Sequence, residues 1–158
     1  MRGKKAKKRK IEPDVIYNNR GVTRLINKIM RGGKKSVAQA IVYNAFEKIG
    51  KEASKEPVEV FEAALRNVQP QLEVRPRRVG GASYQVPLEV KGERKISLAL
   101  HWIIQTARKK SSSEYKTMAA KLAAELTEAS QGTGGAVKKK QDIQKMAEAN
   151  RAFAHFRW

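Results

Sequence analysis

The sequence contains no cysteine and only two histidines, and these absences remove several kinds of chemistry. Without cysteine, the chain has no disulfide framework, no thiolate zinc site and no cysteine nucleophile. His101 and His155 form no paired metal-binding motif, and His101 lies beside Trp102 in an apolar segment, where a packed or surface-edge histidine is expected. We therefore expect neither an enzyme nor a bound metal or cofactor.

Long apolar runs are also missing. The longest, residues 96–104, is interrupted by Ser97 and His101 and is too short to cross a bilayer. Glu12, Pro13 and Asp14 directly follow the basic N-terminal residues, so no signal peptide is predicted there. We expect a soluble protein that does not enter a membrane.

Acidic residues are scarce relative to basic ones. The chain has 34 Lys and Arg against 15 Asp and Glu, which gives a formal net charge of +19. So large a surplus repels itself in a compact fold unless a polyanion neutralises it. Nucleic acid is the main candidate partner, and an anionic membrane surface is the weaker one. With 158 residues, 41% of them apolar, the chain can still form one domain with a core.

Two glycine-containing segments match nucleotide-binding loops only in part. Residues 33–36 read Gly-Lys-Lys-Ser, but Lys35 stands at the Ser/Thr position of a phosphate-binding loop and Lys28 at its first glycine. Residues 132–135 read Gly-Thr-Gly-Gly, yet no strand pattern precedes them, as a dinucleotide-binding turn requires. Neither segment predicts a nucleotide cofactor.

Helical periodicity dominates the chain. Apolar residues from Val22 to Ile29 recur at helical spacing, Ser36 can cap a second helix, and Pro57 suits the first turn of a third. In the second helix the predicted core stripe is Val37, Ile41, Ala45 and Ile49, widened by Ala38, Val42 and Phe46. Three more helices are predicted. One runs from Ile96 to near residues 108–110, one starts after residues 111–113, and one lies at about 137–149 beyond a glycine-rich break at 131–135.

A short region with strand spacing interrupts the helices. Tyr84, Val86, Leu88 and Val90 alternate with polar residues or proline after a Gly80-Gly81 turn. Pro76 and Pro87 remove ladder donors, so neither strand belongs in a sheet interior. We predict a mainly α fold, a single domain of about six helices over residues 13–158. It carries a protruding two-stranded β-hairpin at about 72–90, and a disordered basic N-terminal arm occupies residues 1–12.

Three basic clusters are candidate polyanion contacts. The arm can follow a phosphate backbone, the loop at 31–36 presents amides and cations at a helix start, and the hairpin carries arginines suited to phosphates or bases. For the loop the alternative is an ordinary helix–helix turn, and for the hairpin a surface ribbon held by Val74, Val86 and Leu88. With other basic positions the predicted RNA-contacting set is Arg2, Lys4, Lys5, Lys8, Arg9, Lys10, Arg31, Lys34, Lys35, Arg75, Arg94, Lys95, Lys109 and Lys110.

The last residues of the sequence are unusually aromatic. Phe153, His155, Phe156, Arg157 and Trp158 place rings around cations, whereas terminal segments are ordinarily polar and frayed. This pattern indicates docking, either on the protein's own body or on a partner protein or RNA. Both alternatives stay open from the sequence.

Several long motifs resemble the bacterial small-subunit ribosomal protein S-seven family. The likeness runs in order from Pro13 to Trp158. Its strongest segments are residues 73–90 (Glu-Val-Arg-Pro-Arg-Arg-Val-Gly-Gly-Ala-Ser-Tyr-Gln-Val-Pro-Leu-Glu-Val), 98–103, 135–140 and 146–158, with 26–36 resembling the family's first helix and basic loop. Pro76 and His101 depart from the residues expected there, a small residue and an arginine.

The resemblance implies a non-enzymatic ribosomal protein of the cytoplasm, or of an organelle with its own translation system. It implies primary binding to the 3′ major domain of small-subunit ribosomal RNA, from which assembly of the subunit head nucleates. It also implies a position near exit-site tRNA and mRNA, and contact with neighbouring small-subunit proteins including S-eleven. The residues it places near tRNA and mRNA are Arg77, Arg78, Tyr84, Phe153, His155, Arg157 and Trp158.

Two rival functions remain from the residues alone. A DNA-compacting basic protein would carry the same charge, which does not distinguish the two polymers. An RNA-modifying enzyme would need a nucleophile or a cofactor loop, and the sequence offers neither.

Overall fold

The computed structural model describes Gly3, residues 10–53 and residues 56–156, with the backbone alone at residues 52 and 53. Within these residues the fold is mainly α-helical, with one pair of strands. The elements in chain order are α1 (Arg20–Ile29), α2 (Lys35–Ala53), α3 (Pro57–Val68), β1 (Leu72–Val79), β2 (Ala82–Glu89), α4 (Glu93–Lys109), α5 (Met118–Ser130), α6 (Gly134–Ala149) and a 3₁₀ helix (Arg151–Phe156). The predicted fold class is confirmed, whereas a disordered arm at 1–12 falls mostly outside the described residues.

One hydrophobic core draws side chains from all six α-helices. Its largest fully buried side chains include Phe46, Phe61, Leu100 and Leu122, from four different helices. The stripe predicted for α1 is buried as expected. In α2 the stripe is rotated, because Val37 is 53% exposed and Ile41 is only half-buried, while the residues expected to widen the stripe form its centre.

Local signals explain the starts of three of the six described α-helices. Asn19 caps α1 by accepting a hydrogen bond from the Gly21 amide at 2.7 Å, and Thr117 caps α5 in the same way through the Ala120 amide at 3.2 Å. Pro57 begins α3, as predicted. The prediction for Ser36 was wrong, because α2 begins one residue earlier, at Lys35.

The two strands form an isolated antiparallel ribbon. Val79 pairs with Ala82 across the turn, and both turn glycines have positive φ, +57° at Gly80 and +90° at Gly81. This is the geometry of a two-residue hairpin turn whose twist matches the strands, and glycine adopts it without strain. Arg75 pairs with Val86 and Arg77 with Tyr84, so these four side chains share one face and Arg78 lies on the other.

Candidate nucleic-acid interface

The hairpin has a packed root and an exposed tip. At the root, Val86 and Val90 are fully buried, outside the main core, and α6 and the 3₁₀ helix contact the strands. Arg75, opposite Val86, is exposed, and so are Arg77 and Arg78 toward the turn. Among the described residues, Arg77 and Arg78 have no carboxylate within ion-pair distance. The tip therefore presents two uncompensated guanidinium groups, one on each face of the ribbon.

A buried carboxylate ties the root of the hairpin to α4. Glu73 accepts hydrogen bonds from Arg94 Nε at 2.8 and 3.0 Å, and Arg94 Nη2 lies 2.7 Å from it. Arg75 forms a second ion pair with the same carboxylate. Burial acts to raise the pKa of Glu73, but the hydrogen bonds and charges of Arg94 and Arg75 outweigh it and hold the pKa below its ordinary value. Arg94 and Arg75, both predicted RNA contacts, thus share an internal anion.

The loop between α1 and α2 is an exposed cationic segment of the helical body. Arg31, Lys34 and Lys35 are all exposed, and the first turn of α2 contains no acidic residue. The N-terminal end of a helix carries a partial positive charge, so the three side chains and the helix end act in the same direction. We call residues 31–35 the α1–α2 loop.

The described end of the arm lies beside this loop. Lys10, which is exposed, lines the same surface groove as Lys35, and Ile11 lines a second groove between α1 and α4. The remaining arm residues predicted to bind RNA lie outside the described residues: Arg2, Lys4, Lys5, Lys8 and Arg9. Their role stays a prediction, and the structure brings the last residues of the arm to the α1–α2 loop.

Two adjacent lysines at the end of α4, Lys109 and Lys110, differ in their exposure to solvent. Lys109 is exposed, whereas the Lys110 side chain is 16% exposed and lies 2.6 Å from Glu128 and 3.4 Å from Glu125. Burial acts to lower the pKa of Lys110, and the two carboxylates outweigh it and raise the pKa. Lys110 is therefore committed to an internal ion-pair cluster. Lys95, at the start of α4, is half-buried.

Glu125 organises that cluster and was not singled out in the sequence. Its carboxylate, 1% exposed, accepts a hydrogen bond from the Ala136 amide at 2.8 Å, and the Thr106 hydroxyl lies 3.0 Å away. It thereby caps α6, so the predicted glycine break is shorter than expected and α6 begins at Gly134. A Cβ at Gly135 would lie 3.2 Å from Thr106, which shows how closely the helix start approaches α4. We call these contacts the α4–α6 junction.

The aromatic C-terminal segment docks on the hairpin. The Tyr84 ring lies 5.0 Å from Phe153 and 5.2 Å from Phe156, centroid to centroid. His155 is exposed and its ring lies 4.0 Å from that of Phe156. The sequence left two alternatives open, docking on the protein's own body or on a partner. Up to Phe156, the segment docks on the protein's own body. Arg157 and Trp158 lie outside the described residues.

A further cationic surface has no counterpart in the sequence prediction. It consists of Lys28 on α1, His101 and Arg108 on α4, and Lys139 on α6. Arg108 donates a hydrogen bond to the Ile29 carbonyl at 3.3 Å, and Lys139 donates one to Gln105. Because the four residues come from three helices that are far apart in sequence, no cluster was visible before folding. We call these four residues the α4 patch. The patch reaches the α1–α2 loop, because Arg108 lines one groove with Arg31 and Lys34.

Comparison with known proteins identifies the family. A family model described as ribosomal protein S7p/S5e matches residues 1–151. The chain belongs to this ribosomal protein family. It is 59% identical over 152 residues to the small ribosomal subunit protein uS7 of Caldicellulosiruptor bescii, covering 96% of each chain, and 57% identical to that of Pseudothermotoga lettingae over 158 residues and the full length of both.

Membership of the S7p/S5e family confirms the resemblance found in the sequence. It also confirms that the protein is a structural, non-enzymatic ribosomal protein. No helix among the described residues is long and apolar enough to cross a membrane. The individual contact residues are not tested by family membership, and they stay predictions.

Proposed function

We propose that this protein is a primary binder of the 3′ major domain of small-subunit ribosomal RNA, where it nucleates assembly of the subunit head. The observation that carries the proposal is the division of its charges. Buried carboxylates such as Glu73 and Glu125 are paired inside the protein, whereas Arg31, Lys34 and Lys35 project from the body unpaired among the described residues. A rigid body with cations directed outward is suited to fixing the geometry of several RNA helices.

Phosphate contacts would supply most of the affinity and the shape of the surface most of the specificity. Lys10 and Ile11 of the arm, the α1–α2 loop and the α4 patch adjoin one another, so a single folded RNA region could contact all three. The A-form geometry of RNA helices favours recognition of shape and backbone over base edges. This arrangement supports binding to structured RNA in the ribosome of a bacterial cytoplasm.

A competition experiment tests the preference for RNA. The full chain is bound to a transcript of the 3′ major domain, and unlabelled competitor is added at equal phosphate concentration. We expect the same transcript to compete and duplex DNA to compete far less well. Equal competition by duplex DNA would instead favour a DNA-compacting protein, since charge alone does not distinguish the two polymers.

The hairpin tip and the C-terminal segment make up the proposed tRNA- and mRNA-proximal region. Its exposed guanidinium groups, Arg77 and Arg78, can grip phosphate bidentately. Tyr84 instead packs against Phe153 and Phe156, which supports a role for the rings in holding the ribbon. The region is proposed to lie by the exit site, near neighbouring proteins including S-eleven.

Reconstituted small subunits test this second part. An Arg77→Ala/Arg78→Ala variant should assemble normally and retain less exit-site tRNA in a filter-binding assay. Lys91→Ala is a suitable control, because Lys91 is an exposed lysine paired with Glu89 at the other end of the ribbon. Equal tRNA retention by all three proteins would contradict the placement of the tip.

A further inference from the structure

His101 occupies an unusual place in the α4 patch. It is an exposed histidine on α4, in a chain with one other histidine. Its basic neighbours are anchored by hydrogen bonds, Arg108 to the end of α1 and Lys139 to Gln105 on α4 itself. The imidazole is therefore surrounded by cations from three helices whose relative positions the core sets.

The three charges that act on His101 come from α1, α4 and α6 and have one sign. Partial burial of the ring is the largest cause that lowers the pKa of His101. The charges of Lys28 on α1, Lys139 on α6 and Arg108 on α4 lower this pKa further. No charge from α3 or α5, which also contact α4, contributes. Glu93, the one carboxylate of α4, pairs with Arg24 at 2.8 Å, and Glu125 of α5 belongs to the α4–α6 junction. Asp142 of α6 does not act on the pKa of His101. All of these causes favour the neutral form of His101 in the free protein.

An RNA backbone across the α4 patch reverses these surroundings. Phosphates pair with Lys28, Arg108 and Lys139 and add negative charge beside the imidazole, which favours its protonated form. We propose that His101 takes up a proton from solvent when RNA binds at the α4 patch, so that the protein binds RNA more tightly as the pH falls. This inference rests on the proposed function, because it concerns how the same RNA is held.

The sign and range of the effect follow from linkage. Between the pKa of the free protein and the higher pKa of the complex, binding captures a proton, so affinity rises by up to about tenfold for each unit that the pH falls. Below the lower pKa both states are protonated, and above the higher pKa both are neutral. Affinity is independent of this group in both of those ranges.

Binding to the 3′ major domain transcript tests the inference at constant salt, from about pH 5.5 to about pH 8, which brackets the ordinary histidine pKa. The wild-type affinity should rise as the pH falls. His101→Gln should lose that slope and match the wild type at the high end, whereas His101→Arg should be flat and at least as tight as the wild type at the low end. His155→Gln removes the other histidine and should keep the slope, whatever its effect on affinity.

The imidazole NMR signals give a second readout that does not depend on affinity. Adding the transcript should raise the pKa of His101, and the His155 signal serves as an internal reference. A His101→Gln variant that binds RNA with the wild-type slope, or an unchanged pKa of His101 in the complex, would overturn the inference and leave the proposed function intact. Absence of transcript binding by the wild type would overturn both.

Discussion

Lys110 and Lys34 lie at the ends of helices in opposite electrostatic surroundings. Lys110 sits in the α4–α6 junction between Glu125 and Glu128, and its charge is compensated inside the protein. Lys34 sits in the exposed α1–α2 loop, where the adjoining helix turn has no acid. Whether a cation is available to a polyanion therefore depends on which carboxylates the fold brings to it. Mutations should therefore affect stability at one region and RNA binding at the other.

The largest loss of stability is expected from Glu125→Ala. It leaves the Ala136 amide, Thr106 and Lys110 without their buried partner, and removing one member of a buried charged network costs about 3–5 kcal/mol. Urea unfolding measures the change in the free energy of unfolding. Glu128→Gln, at a more exposed carboxylate of the same junction, should cost clearly less, and equal losses would contradict the central role of Glu125.

The glycines that begin α6 should give the next largest effect. Gly132 and Gly134 both have positive φ, +79° and +88°, so alanine is strained at either position. A Cβ at Gly132 meets open space, whereas one at Gly134 would lie 3.0 Å from Glu128 Cβ. Gly134→Ala should therefore lower the free energy of unfolding by at least about 1 kcal/mol more than Gly132→Ala. Indistinguishable thermal and urea midpoints would mean that the close approach carries no energetic weight.

The root of the hairpin should respond to pH. The lowered pKa of Glu73 means that its ionised form stabilises the fold above its unfolded-state pKa, and this contribution is lost as the pH falls through the folded-state pKa. Glu73→Gln should cost about 1 kcal/mol at neutral pH, because both arginine partners are half exposed. The gap between wild type and variant should close in acid. A gap that stays constant from neutral pH to acid would argue against the pairing.

The smallest change in the free energy of unfolding is expected from mutations in the α1–α2 loop. The same mutations should clearly weaken RNA binding. Lys34→Ala/Lys35→Ala should change the free energy of unfolding by no more than about 0.5 kcal/mol. It should weaken transcript binding and reduce its salt slope by about one to two units, since two phosphate contacts are lost. Lys51→Ala is the matched control, because Lys51 is an exposed lysine of α2 paired with Glu47 at 2.7 Å. An identical slope in both variants would remove the loop from the interface.

Features encoded over a few residues could be predicted from the sequence. The stripe of α1, the Pro57 start of α3 and the glycine turn of the hairpin each depend on residues close in the chain. The rotation of the α2 stripe could not be seen, because Val37 and Ala38 are both apolar and only tertiary packing chooses between them. The start of α5 at Met118 was also later than the serines suggested, since Thr117 supplies the cap.

The interface was harder to predict than the fold, because it depends on distant pairs. The exposed set at Arg31, Lys34 and Lys35 follows from local sequence alone. The compensation of Arg94 by Glu73 and of Lys110 by Glu125 requires contacts 21 and 15 residues apart along the chain, which no local pattern reports. The α4 patch was also missed because it depends on distant residues. Folding brings together cations from three helices that are separated in the sequence.

The packing of Phe153 and Phe156 on Tyr84 also has a kinetic consequence. These contacts close a long loop of the chain that contains α4, α5 and α6. Because closing such a loop in a disordered chain costs entropy, we expect them to form after those helices have assembled. Contacts made that late contribute little to the transition state for folding. The three rings should therefore slow the unfolding of the second half of the molecule and leave its folding rate nearly unchanged.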